Sequence, residues 1–310
     1  MGTAPDATRP QRLGLGAWYM QARARGPVGV AIAISFIFLW ASAYVPSKIA
    51  STESDPYAFL VVRFGTAGII MAAIACFSRQ AFPRTLRAWL AAAALGVLGN
   101  ALYLGLTYTA LRHLSSGMGA IVASTNPLVL ALVAPRLLGE RLTPLKGLGL
   151  ALGFGGVIAI VYARTGTGGA APADVLTAFL GVCASVASTL LYKRASTTES
   201  PLAINAIQLI AAGLVLVPVA LLSPHVPHPG LTPELIASFS YLVLVLSVGA
   251  SLIWFWLLTH GEASRVSAFY YLTPAFGLAI AAVLLHESVG VHDLVGLAAI
   301  AGGIALVQRA

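Results

Sequence analysis

Shifted by 147 residues, the second half of this chain repeats the punctuation of the first. Pro127 falls on Pro274, Glu140 on Glu287, Gly149-Leu150-Ala151 on Gly296-Leu297-Ala298, and Gly155-Gly156 on Gly302-Gly303. Between 127–160 and 274–307, 10 of 34 positions are identical without a gap. Stretches rich in Ala, Leu and Gly match one another partly by composition. A proline, a glutamate and a glycine pair at one common offset do not. The chain is therefore read as a duplicated unit, and the topology depends on how many membrane spans one unit holds.

Composition settles the solvent. Hydrophobic residues make up 58% of the chain and charged residues 9%, whereas soluble domains carry roughly 25% charge. The mean hydropathy is +0.88. A membrane span needs about 20 apolar residues, and the sequence offers ten: about 28–49, 56–77, 87–109, 115–137, 145–163, 173–192, 201–222, 236–258, 264–285 and 291–308. The expected fold is all-α, a polytopic membrane protein of ten transmembrane helices. It divides into a cytoplasmic basic tail (1–27), a first five-helix repeat (28–163) and a second (173–308). Five is odd, so the second copy starts on the opposite side and is inserted upside down. The first spans of the halves agree at an offset of 146, where Ala41-Ser42 meets Ala187-Ser188 and Lys48 meets Arg194.

Basic residues test this orientation independently, because cytoplasmic loops carry the excess of Lys and Arg. With the N-terminus inside, 14 of 18 fall on the cytoplasmic side, and only Lys48, Arg112 and Arg164 fall outside. Both termini are then cytoplasmic. The net charge of +8 is spread over inner loops, which removes it as an argument for nucleic-acid binding. The basic head followed by Val28 onward and Ala41-Ser42-Ala43 imitates a signal peptide with a small-residue cleavage site. The head is too long for that and the apolar run continues past the site, so the segment reads as an uncleaved first span.

In inverted repeats the substrate site lies near the midplane, where helices are interrupted at corresponding places. The fourth and ninth spans carry such interruptions at Ser124-Thr125-Asn126-Pro127 and Tyr271-Leu272-Thr273-Pro274. Each proline lacks an N–H and crowds the carbonyl four residues earlier, at Ala123 and Tyr270. A carbonyl freed in lipid needs protein or cavity water as a partner. Pro127 and Pro274 are thus candidate breaks, with Asn126 and Thr273 beside them. Asn100, whose repeat partner Ser247 is also polar, lies one turn from Tyr103. Trp40, Tyr44, Tyr103, Trp254 and Tyr270 are candidate cavity walls. Ser42, Ser188, Asn205 and Gln208 read more simply as polar glue between helices. Trp18 and Trp89 read as interfacial anchors.

Arg63 is the only charge well inside a span, which makes it a functional candidate by default, with snorkelling as the alternative. Lys48, nearer a span end, is a second possible charged site. All 10 carboxylates fall in tails or at span ends, so no buried acid is expected to relay protons, and counterflow should persist without a proton gradient. Cys76 and Cys183 are expected to be buried small thiols, with no metal or cofactor implied. Gly147 to Gly156 contains no phosphate loop, since no Gly-Lys-Ser/Thr follows; its Gly149/Gly153 spacing suits close helix packing.

Several of these residues resemble a known family. Leu39-Trp40-Ala41-Ser42-Ala43-Tyr44, Arg63, the Asn126-Pro127 break with Leu138-Gly139-Glu140, and the Gly155-Gly156 ending are similar to the EamA-type members of the drug/metabolite transporter superfamily. His286-Glu287 and Gly302-Gly303 repeat the pattern, and the resemblance covers about 28–308. Ala41 departs from it, standing where Gly is usual. The resemblance implies metabolite efflux across a bacterial inner membrane through a central cavity, with the fifth and tenth spans packed outside. The aromatic and small-polar inventory is similar to that of the YddG-like amino-acid exporters. The expected function is thus an exporter of neutral or aromatic amino acids or similar small metabolites, working by alternating access, without cofactor or metal. A lipid or polyprenyl-sugar flippase of the same fold is the alternative. An intramembrane enzyme would need a nucleophile with a base or an acid pair mid-span, and the sequence has neither.

Overall fold

The structure is a computed structural model and describes residues 27–138, 143–166, 171–195, 199–223, 230–259 and 272–309. Among them every regular element is helical. Eight helical stretches are long and apolar enough to cross a bilayer, and Thr273–Leu285 and Val291–Val307 are shorter apolar helices. The expected ninth span, from 264, begins outside the described residues.

The first span is α1 (Pro27–Ser42) followed by α2 (Tyr44–Glu53). Pro46 has no N–H for the Ser42 carbonyl, and its ring crowds that oxygen, so the helix is interrupted at Ala43. The second span, α3 (Pro56–Phe77), is started by Asp55, whose carboxylate accepts the N–H groups of Tyr57 and Ala58. The third runs through α4 (Leu86–Gly96), a π-helical stretch (Val97–Leu102) and α5 (Tyr103–Leu111). The fourth is α6 (Ser116–Ala123) and α7 (Asn126–Leu138), and the fifth is α8 (Pro144–Gly166). The sixth and seventh are α9 (Pro172–Ala195) and α10 (Pro201–Leu222). The eighth comprises α11 (Pro233–Ser240), a second π-helical stretch (Tyr241–Ala250) and α12 (Ser251–Thr259). Thr273–Leu285 is α13 and Val291–Arg309 is α14.

Two helix pairs cross at glycine contacts. A methyl group on Gly149 of α8 would lie 2.7 Å from the Gly303 carbonyl oxygen of α14, and one on Gly156 would lie 2.7 Å from that of Gly296. The lower number in α8 meets the higher in α14, so the helices run antiparallel. Gly296 and Gly303 are also the positions that the 147-residue offset pairs with Gly149 and Gly156. The second and seventh spans cross the same way. Gly68 of α3 is backed by Ile210 of α10, while Gly213 of α10 is backed by Gly65 of α3. At the α8–α14 crossing only glycine lets the two backbones approach so closely, whereas a methyl group on Gly213 would meet its neighbours at an ordinary 3.5 Å.

Around these crossings lie fully buried Leu60, Phe64, Met71 and Tyr108 on one side, and Met118, Leu128, Ile160 and Ile300 on the other. Phe77, Tyr162, Leu222 and Val283 face outward. Cys183 is half-buried, but Cys76 is exposed. The expected buried thiol at Cys76 is therefore corrected: it sits on the outward face of α3 in its last turn.

Candidate functional site

The helices enclose a cavity of about 730 Å³, within the range of roughly 300–1,000 Å³ typical of small-molecule sites. It runs from Arg63 and Tyr108 to Lys146, Lys193 and Glu199 at one end of the bundle.

One wall is aromatic. Phe36 stacks between Trp40, at 5.9 Å between ring centroids, and Trp254, at 5.5 Å. Tyr44 and Tyr103, both lining the cavity, join their hydroxyls at 3.3 Å. Trp40, Tyr44, Tyr103 and Trp254 all line it, as does Asn100. Asn100 stands in the π-helical stretch of the third span, and Ser247, in that of the eighth, lines the cavity too. A π-helical turn shifts the helix face and exposes backbone groups, and is frequent at functional sites.

The break in the fourth span forms a second wall. Pro127 deprives the Ala123 carbonyl of its helical N–H, and α6 ends there. Ser124 and Thr125 turn their hydroxyls back to the carbonyls of Ile121 and Val122, at 2.6 Å and 2.7 Å. Asn126 donates to Ser185 at 3.0 Å. Ala123, Asn126 and Pro127 line the cavity. Thr273, the first residue of α13, also lines the cavity, and its buried hydroxyl has no hydrogen-bond partner among the described residues. Its neighbour Pro274 is buried but outside the cavity lining. Tyr270 lies outside the described residues.

Arg63 is 6% exposed and faces the cavity rather than snorkelling to an interface. It donates to the Tyr108 hydroxyl at 2.8 Å and, through two N–H groups at 3.4 Å, to Ser247. Lys48 does not line the cavity. Its ammonium donates to the carbonyls of Leu111 and Arg112 at 2.7 Å and 3.2 Å, closing the carboxyl end of α5. The possible charged site there is thus corrected to a helix cap.

Beyond Arg63, among the described residues, the helices are tied together by hydrogen bonds. Ser47 donates to Tyr108 at 3.0 Å. The Glu287 carboxylate accepts the N–H groups of Ser116 and Gly117 at 2.6 Å and 2.9 Å, at the positive end of α6. Arg164 holds Asp293 by two parallel bonds of 2.9 Å each. Asp55 and Asp293 are buried. The expectation that no carboxylate is buried is therefore corrected, although both acids sit at span ends as expected.

Sequence reasoning treated Asn205, Gln208 and Ser188 as glue, yet all three line the cavity. Ser188 serves as both, donating to the Leu95 carbonyl at 3.1 Å. Asn205 leaves its amide nitrogen without a partner among the described residues. Tyr108 was missed. Its place one turn beyond Leu104, which also lines the cavity, was the available signal. Trp89 is exposed, donates to the Pro83 carbonyl at 2.8 Å and does not line the cavity, and Trp18 lies outside the described residues.

The EamA-like transporter family profile matches residues 27–162 and, a second time, residues 173–309. The chain belongs to the EamA-like transporter family. Among similar EamA-like proteins is an uncharacterized transporter, YvbV, of Bacillus subtilis, 26% identical over 88% of each chain. An uncharacterized inner membrane transporter of Escherichia coli, YedA, is 26% identical over 87% of each. A WAT1-related chloroplastic protein of Arabidopsis thaliana is 24% identical over 89% of this chain and 68% of its own. A crystal structure superposes with a TM-score of 0.63, over 89% of this chain and 95% of that one, at 20% identity, which speaks for the shared fold alone. The EamA-like family and these relatives point to a multi-pass membrane transporter of small molecules rather than an enzyme.

Proposed function

We propose that this EamA-like protein exports neutral or aromatic amino acids, or similar small metabolites, by alternating access through the central cavity. Its halves, 28–163 and 173–308, are inserted in opposite orientations in a bacterial inner membrane, with both termini cytoplasmic. The reciprocal antiparallel crossings of Gly149 with Gly303 and Gly156 with Gly296 support the inversion. Copies related by an axis along the membrane normal would cross with parallel helices. On this topology the end with Lys146 and Lys193 is cytoplasmic, and the cavity faces inward.

The observation that carries the reading is the cavity itself. It gathers Asn126 and Pro127 of one interruption with Thr273 of the other, an aromatic wall and the Arg63 guanidinium, and it reaches exposed Lys193 at the other end. An apolar side chain lies against Trp40, Phe36 and Trp254, and the substrate ammonium faces the Ala123 carbonyl and the Asn126 amide oxygen.

Single cysteines at Thr189 and Ser47, with Cys76 and Cys183 replaced by Ser, test the alternation. Thr189→Cys should react with an impermeant maleimide from the cytoplasmic face, and Ser47→Cys only from the other face when substrate drives turnover. Cysteines whose reactivity ignores substrate would sink the proposal.

A further inference from the structure

We infer that Arg63, held by Tyr108 and Ser247, is the anchor for a substrate carboxylate, so that transport selects small monocarboxylates with an apolar arm. This deepens the transport reading and rests on it.

A guanidinium inside a membrane bundle is costly unless a counter-charge or several acceptors meet it. Among the described residues no carboxylate pairs with Arg63; its acceptors are two neutral hydroxyls, and that of Ser247 is 3.4 Å away. Three of its five N–H groups have acceptors there, leaving a fork of donors beside the cavity. A carboxylate accepts two parallel N–H bonds from such a fork, and in a low-dielectric cavity the charges strengthen one another.

The surroundings limit the ligand further. Tyr108 takes one bond from Arg63 and one from Ser47, which fixes the side chain. The stacked wall of Trp40, Phe36 and Trp254 lines the same cavity and supplies an apolar surface for the rest of the ligand. One guanidinium balances one negative charge. A phosphate dianion would call for a second cation, and Lys48, the nearest in sequence, is engaged at a helix end outside the cavity. Among the described residues Lys146, Lys193 and Glu199 line the other end of the cavity.

The experiment is a binding titration on purified full-length protein, read by tryptophan fluorescence because Trp40 and Trp254 line the cavity. The probes share one phenyl arm: 3-phenylpropanoate, its amide, 2-phenylethylamine and 2-phenylethyl phosphate. The carboxylate should give a saturable change, and the amide, amine and phosphate should bind at least tenfold more weakly. Arg63→Gln should abolish that preference, while Arg63→Lys, which keeps the charge but loses the fork, should retain part of it. Both variants are to be compared as monodisperse protein. No response to the carboxylate, an amide that binds as tightly, a phosphate that binds more tightly, or a monodisperse Arg63→Gln protein with unchanged preference each overturns the inference. Arg63-dependent binding without amino-acid transport would keep the anion site and refute the amino-acid reading. Transport of amino acids and their amides at equal rates would do the reverse.

Discussion

Arg63 donates to the hydroxyl of Tyr108 at 2.8 Å, joining the second span to the third at one end of the cavity. Because Ser47 donates to the same oxygen, three spans meet on one phenol. A hydrogen bond to a charged group is worth about 1.5–3 kcal/mol. Tyr108→Phe should therefore lower transport about tenfold or more in proteoliposomes, with the fold retained. Unchanged transport would show that Arg63 is oriented by other groups.

The break at Pro127 leads to a second prediction. Replacing Pro127 or Pro274 by Ala restores a helical N–H and takes up a carbonyl acceptor. Transport should fall severalfold at near-normal membrane abundance, and Asn126→Ala should act likewise. Trp89→Ala, which loses only a hydrogen bond to the Pro83 carbonyl outside the cavity, should transport at the native rate. If both proline variants are fully active, the breaks are packing kinks.

The glycine crossing of α8 and α14 sets stability. A methyl group on Gly156 would stand 2.7 Å from the Gly296 carbonyl oxygen, a backbone atom that cannot move aside alone. Overpacking of this kind costs roughly 1–3 kcal/mol. Gly156→Ala should lower the melting temperature in detergent by several degrees, and Gly155→Ala, with open space around it, should not. Equal melting temperatures would remove the crossing from the account.

Glu287 ties the helices beyond Arg63 by accepting two N–H groups of α6. Glu287→Gln keeps the shape but removes the charge that favours a helix N-terminus, an effect of about 0.3–2 kcal/mol. Ser47→Cys in that background should be labelled severalfold faster from the non-cytoplasmic face. Labelling at the parent rate would place the latch elsewhere.

Much of this was legible in the sequence, because a bilayer forces long apolar helices and makes interruptions costly. Pro127 disclosed its break, since a missing N–H has the same consequence in any helix. Pro46 does the same to the first span and was equally visible, but without a repeat partner it drew no notice. The π-helical stretches around Asn100 and Ser247 have no such mark, since they arise from how whole spans pack. Asn205 and Gln208 were polar residues on an apolar helix, and periodicity does not distinguish a face turned to a neighbour from one turned to a cavity. The burial of Asp55 and Asp293 depends on chain brought together in the fold, as the Arg164 pair shows for Asp293.

Transport itself is the most direct test. Purified protein in proteoliposomes, preloaded and assayed for counterflow with amino acids, sugars and lipids, with and without an imposed proton gradient, separates the readings. The account predicts counterflow of neutral or aromatic amino acids that survives collapse of the gradient and fails in Arg63→Gln. Movement of lipids or sugars with no amino-acid counterflow would contradict it.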